Sequence, residues 1–220
     1  MNSILNSTKS MITVLCLEGC HGSGKTELCK YFQKNGFKVL DEAFLDMPTF
    51  GIPNQSLTME TVWVSNWFQR LLKMEKAESN NPNRQPSIYI ADRSPYSAIL
   101  YSKNKGHYLD PIISEQIKEL KKYTDIDIKT VYLRIDKDLL WKRIQNRLLK
   151  EPERVKYNED NYQWMEETVN FYEGREWDFI VDNSLSQDKV LHQIIQPLNI
   201  DISIIKQQHQ SDNTNIVSSF

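Results

Sequence analysis

Residues Gly19-Cys20-His21-Gly22-Ser23-Gly24-Lys25-Thr26 carry the pattern G-x-x-x-x-G-K-[ST] of a phosphate-binding loop. Its glycines let the backbone turn tightly enough for successive N–H groups to converge on one anion. Lys25 is placed to reach the β- and γ-phosphates of a nucleotide, and Thr26 to offer a hydroxyl to Mg²⁺. Gly19, Gly22, Ser23, Gly24, Lys25 and Thr26 are therefore the first candidate binding residues, with ATP and Mg²⁺ as the expected cofactors. His21 fills a variable position and reads as a spacer.

Two further polar clusters follow apolar runs. Asp41-Glu42 comes after Phe37-Lys38-Val39-Leu40, and Asp92-Arg93-Ser94 after Ser87-Ile88-Tyr89-Ile90-Ala91. In a parallel sheet, ligands sit beyond the carboxyl ends of the strands. Carboxylates and an arginine converging beside a phosphate loop suit a metal-bound polyphosphate and an acceptor hydroxyl. Asp92 joins Thr26 as a candidate metal residue. Later in the chain, Lys142, Arg143 and Arg147 give one helix a basic side. Arg143 and Arg147 are one turn apart and face away from much of the Leu140-Ile144-Leu148 stripe.

These residues need elements to hold them. Ile12 to Leu17 reads as a strand running into the loop, and Glu27 to Phe32 as the helix whose N-terminal end adds positive potential to it. Asn35-Gly36 stops that helix. Leu57 to Ala77 reads as a long helix, with Met59, Trp63, Trp67 and Leu71 on one face. Further helices are expected at Pro111 to Lys122 capped by Asp110, Asp138 to Lys150, Asn158 to Tyr172 and Lys189 to Ile195. Further strands are expected at Ile128 to Ile135 and Phe179 to Val181. Strands alternating with helices imply one α/β domain over residues 12–200, a five-stranded parallel sheet with helices on both faces. Residues 1–11 and the polar stretch 201–220 read as flexible ends.

The bulk properties exclude several classes. A net charge of −2 leaves no excess of cations to track nucleic acid. No apolar run is long enough to span a bilayer, and the first residues lack the layout of a secretory signal. The three cysteines, Cys16, Cys20 and Cys29, cannot all pair and lack metal-finger spacing, so they read as reduced thiols of a cytoplasmic protein. Neither an Asp-x-x-Gly switch nor an Asn-Lys-x-Asp motif is present, which argues against a GTPase. The expected partner is a small molecule, with a homodimer left open.

Leu17-Glu18-Gly19, Glu42 and Asp92-Arg93-Ser94-Pro95-Tyr96-Ser97 resemble the deoxynucleoside kinase and thymidylate kinase superfamily of P-loop kinases. The resemblance implies a general-base role for Glu42 and an acceptor- or phosphoryl-steadying role for Arg93. It also implies a lid at about 147–158, with Arg143 and Arg147 over the ATP phosphates. Trp63 and Gln69 then lie on the helix that walls the acceptor pocket, where an aromatic can stack on a base and an amide can pair with its edge. Trp63 and Trp67 also suit the core. Tyr96, in the same motif as Arg93, completes the substrate-binding set. Two acceptors stay open. The Arg-Ser-x-x-Ser form at Arg93 to Ser97 favours a deoxynucleoside. Glu153-Arg154 and Ile180-Val181-Asp182-Asn183-Ser184 look like a monophosphate kinase, but Asp41 to Phe44 lacks that family's arginine. A nucleotide-binding regulator without transfer is the remaining alternative.

Overall fold

The computed structural model of the chain describes residues 12–42, 50–53, 55–82, 84–103 and 105–198. The expected flexible ends and residues 43–49, including Ala43, Phe44 and Pro48, lie outside that set. Five strands, β1 (Ile12–Glu18), β2 (Lys38–Leu40), β3 (Ser87–Asp92), β4 (Ile126–Arg134) and β5 (Phe179–Asp182), form one sheet in the order β2-β3-β1-β4-β5. Every pairing is parallel. The helices are α1 (Lys25–Lys34), α2 (Leu57–Ser79), α3 (Ser97–Tyr101), α4 (Gly106–Tyr123), α5 (Lys137–Leu148), α6 (Tyr162–Glu173) and α7 (Gln187–Ile195).

Alternation along the strands divides the interior in two, as the period of two requires. Ile12, Val14 and Cys16 of β1 join Trp63, Trp67, Leu71 and Ile113 under α2 and α4. Leu15 and Leu17 join Leu28, Phe32, Val190 and Ile194 under α1 and α7. Each such buried aliphatic or aromatic side chain contributes about 1.5–3 kcal/mol of transfer free energy. A third, smaller core ties the phosphate loop to α5 and α6 through Cys20, Leu140, Ile144, Met165 and Val169. The register sets Leu17 beside Asp92, and Leu40 beside Ala91. The segments following β1, β2 and β3 therefore leave the sheet at one edge, as the sequence led us to expect.

Two helix starts depart from expectation by a full turn or more. The helix placed at Pro111 begins at Gly106, because Leu109 and Ile113, four apart, extend the apolar stripe ahead of the proline into the core. Asp110 is not its cap; its carboxylate accepts from both terminal nitrogens of Arg175, at 3.1 and 3.0 Å. The helix expected from Asn158 begins at Tyr162, where Asn161 caps it by accepting from the Trp164 N–H at 3.2 Å. Asn158 itself has φ 59° and ends a 3₁₀ turn, Pro152–Tyr157. That turn occupies half of the segment expected as the lid.

Candidate active site

The loop between β1 and α1 is shaped by two glycines with left-handed backbones. Gly22 has φ 77° and Gly24 φ 93°. A Cβ on Gly22 would also lie 2.6 Å from Ile144 Cγ1, so that position excludes any side chain on both counts. Lys25 is buried and folds back over the loop, donating to the carbonyls of Gly19 at 2.6 Å and Cys20 at 3.0 Å. It thereby fills part of the cradle with its own charge. Burial, with Arg93 as a second cause, lowers its pKa to about 8. Ser23 is also buried, with its hydroxyl 3.4 Å from the Lys25 ammonium.

Thr26 and Asp92 meet across the sheet edge. The Thr26 hydroxyl donates to Asp92 Oδ2 at 2.7 Å, while the buried Asp92 Oδ1 has no hydrogen-bond partner. A hydroxyl whose proton is taken up by a carboxylate presents its lone pairs to a cation. The described residues hold no cluster of three or more His, Cys, Asp or Glu side chains suited to a metal. This set fits Mg²⁺, which keeps several waters and takes few protein ligands beside substrate phosphates. Thr26 would hold it directly and Asp92 through water.

Arg93 joins the two halves of the site. Its backbone has φ 79°, an uncommon conformation for a residue with a Cβ. The surroundings fix it there: its N–H donates to Leu17 O at 3.1 Å, and its Nε to Glu42 Oε1 at 2.7 Å. The guanidinium also reaches Ser97 and Tyr172, and lies 5.1 Å from the Tyr101 ring centroid. The turn itself is held by Glu18. This fully buried carboxylate accepts from the Ser94 N–H at 2.8 Å, the Ser94 hydroxyl at 2.6 Å and the Ser97 hydroxyl at 2.8 Å. Ser94 and Ser97, three apart, were legible as a pair. Their common partner, Glu18, became visible only when β1 and β3 were side by side.

Part of this set lines one cavity of about 910 Å³. Lys25, Thr26, Asp92, Arg93, Glu42, Trp63, Arg143 and Arg147 are all in its wall, with Gly22 and Gly24. Trp63 donates its indole N–H to the Glu42 carbonyl at 3.0 Å, so it belongs to both core and wall. Two expected substrate residues are elsewhere. Gln69 lies on the exposed side of α2, because the turn of the helix that buries Trp63 and Trp67 carries position 69 outward. Tyr96 is outside the wall and packs against Trp177 and under the Arg175 guanidinium. Gly19 and Ser23 lie behind the wall, in the body of the loop.

The wall also contains residues that the sequence did not mark. Glu60, one turn before Trp63 on α2, is 1% exposed and its Oε1 has no hydrogen-bond partner. Burial, opposed by Arg93 and assisted by Glu42, raises its pKa to about 9. His21, which the sequence read as a spacer, also lies in the wall, with an unpartnered Nε2. Across the cavity, Arg147 and Arg154 share two carboxylates. Arg147 Nε is 3.3 Å from Glu151 and its guanidinium 3.8 Å from Glu159. Arg154 also donates to Glu151, and to Glu159 at 3.2 Å. Arg143 instead donates to the Asn183 carbonyl beyond β5, at 3.3 Å from both terminal nitrogens. Arg143 and Arg147 were legible from their spacing, whereas the burial of Glu60 and the Arg143–Asn183 contact depend on how separate elements pack.

Among the described residues, no helix is long and apolar enough to cross a membrane. Residues 15–164 match the AAA domain family, which spans more than half of the chain. No curated protein matches the sequence. Among solved structures, deoxyadenosine kinase from M. mycoides, with the products dCMP and a flexible dCDP bound, is similar at 18% identity and a TM-score of 0.53. The match covers 84% of this chain and 98% of that one. The same enzyme with bound dATP gives 18% identity and a TM-score of 0.50, over 85% of this chain and 100% of that one. At this identity the likeness establishes the fold. The chain belongs to the AAA domain family, and its fold is that of the P-loop kinases of deoxynucleoside kinase type.

Proposed function

We propose that the protein transfers the γ-phosphoryl group of ATP to the 5′-hydroxyl of a deoxynucleoside. The observation that carries this reading is the contact between Glu42 and Arg93, with Nε and Oε1 2.7 Å apart in the wall of the cavity that also holds the phosphate loop. In the reaction the 5′ oxygen attacks the γ-phosphorus, the bond from that phosphorus to the β–γ bridging oxygen breaks, and ADP leaves. The hydroxyl proton passes to Glu42. Arg93 holds the Glu42 carboxylate and lies beside the path of the transferring group. Lys25 and the loop amides neutralise charge on the β- and γ-oxygens, and Arg143 and Arg147 add to it from α5. Thr26, with Asp92 through water, would hold Mg²⁺, which would supply charge neutralisation for the phosphates.

A neutral acceptor agrees with the charge around Glu42. Of the arginines that could clamp an acceptor phosphate, Arg93 is held by Glu42 and Arg70 is held by Asp41, whose carboxylate is 2.6 Å away. A monophosphate brings about two negative charges, and burying them without a cation is costly. One observation favours a monophosphate acceptor instead: Arg154 lines the cavity and could release its carboxylates to receive a phosphate. Steady-state kinetics with deoxynucleosides and their 5′-monophosphates decide between the two. We expect kcat/KM to favour each deoxynucleoside by at least about tenfold. Preference for the monophosphates would reverse the assignment, and turnover with neither would remove it.

A further inference from the structure

The phosphate loop carries a buried side chain, His21, that the proposed reaction does not use. His21 is 5% exposed, lies in the cavity wall between the glycines Gly19 and Gly22, and has no hydrogen-bond partner at Nε2. Leaving a buried ring nitrogen unsatisfied is costly, and a bound ligand would offset that cost. Its other nitrogen, Nδ1, is 3.5 Å from Cys20 Sγ. Burial pushes the Cys20 thiol up to about 12, so the sulfur keeps its proton. That thiol donates to the Met165 carbonyl at 4.0 Å. A ligand that offers only acceptor oxygens selects the neutral tautomer with its proton on Nε2, which leaves Nδ1 as the acceptor facing Cys20.

The surroundings say which ligand that N–H would meet. Burial and four cations, Lys25, Arg93, Arg147 and Arg154, keep the ring neutral, with a pKa lowered to about 3. All four cations line the same cavity. Lys25 marks the β- and γ-phosphate end, and Arg93 with Glu42 marks the acceptor end. A group in the fields of both stands where the phosphoryl group passes from one to the other.

We propose that His21 is a catalytic residue that donates its Nε2–H to an oxygen of the transferring γ-phosphoryl group. It does so as a neutral donor with no proton transferred. It thus adds a hydrogen bond to the developing charge without another full cation in an already cationic loop. The inference rests on the phosphoryl-transfer reading of the cavity, but it makes a binding prediction that needs no acceptor.

The test compares Mg²⁺-ADP with Mg²⁺-β,γ-imido-ATP binding, by calorimetry, for the wild type, His21→Leu and His21→Gln. The glutamine side chain keeps an N–H donor at about the same reach. We expect ADP affinity to agree within about twofold in all three proteins. The imido analogue should bind His21→Leu about tenfold more weakly, and His21→Gln should recover most of that loss. Equal losses for both nucleotides would mean that His21 only shapes the loop and would overturn the proposal, as would unchanged analogue binding in His21→Leu. If the leucine variant does not fold, His21→Ala carries the same comparison. A wild type that phosphorylates no nucleoside would fail the acceptor reading, and the nucleotide comparison would still decide the role of His21.

Discussion

In the proposed reaction the cavity has a donor end and an acceptor end, and the two are built from different materials. The donor end is mostly backbone and cations: the glycine loop, Lys25, and the arginines of α5 and the 3₁₀ turn. The acceptor end is carboxylates and aromatics: Glu42, Glu60, Trp63 and Tyr101, with Arg93 already paired. A polyphosphate is a dense anion and is held by N–H groups and positive charge wherever they converge. An acceptor hydroxyl needs a base and a shaped, low-dielectric wall. The contrast teaches that the donor end is general for nucleotide chemistry, whereas the choice of acceptor depends on how few cations remain free beside Glu42.

The largest effect should come from the donor end. Lys25→Ala should lower kcat/KM by about 10³-fold or more while circular dichroism and thermal unfolding stay close to wild type. A folded variant with normal turnover would break the assignment of that end. Glu42→Gln comes next, with kcat reduced about 10²-fold and ATP affinity unchanged. If ATP affinity collapsed and kcat survived, Glu42 would belong to the donor half, and the division drawn here would be misplaced.

Glu60 sharpens the acceptor side through stability. Its pKa is raised to about 9 in the fold, so the folded state keeps a proton that the unfolded chain releases above the ordinary glutamate range near 4.3. Stability contributed by this neutral group is present at low pH and is lost as pH rises through that window, by up to about 1.4 kcal/mol per unit. Glu60→Gln, which stays neutral throughout, should match the wild type near pH 5 and unfold at a higher temperature at pH 8. A constant difference across that range would mean that Glu60 is ionised in the fold.

The smallest expected effect concerns the arginines facing the donor site. Arg147 and Arg154 reach Glu159, which is itself nearly buried. In Glu159→Gln both guanidinium groups lose one competing carboxylate, and ATP should bind about threefold more tightly. Weaker binding would show that Glu159 positions the arginines rather than competing with the phosphates.

Local sequence determined the donor end because its chemistry is contiguous. A strand, a glycine loop with Lys25 and Thr26, and a helix make a phosphate cradle whatever the rest of the chain does. The order of strands and helices likewise implied the parallel sheet, since apolar strand runs separated by amphipathic helices have few other ways to be buried on both faces. The strand ends after β2 and β3 marked Glu42, Asp92 and Arg93 for the same reason. Gln69 and Tyr96 show where local reading stops. Helical period told us that one face of α2 is buried, but which side meets the cavity depends on how the helix packs on the sheet, and that packing turns Gln69 outward and brings Glu60 in. Glu18, Glu60, Glu159 and the His21–Cys20 pair acquire their roles from burial and from partners on other elements. Those are properties of the assembled interior, where a charge or a lone pair is worth several times what it is in water, and only the tertiary structure decided them.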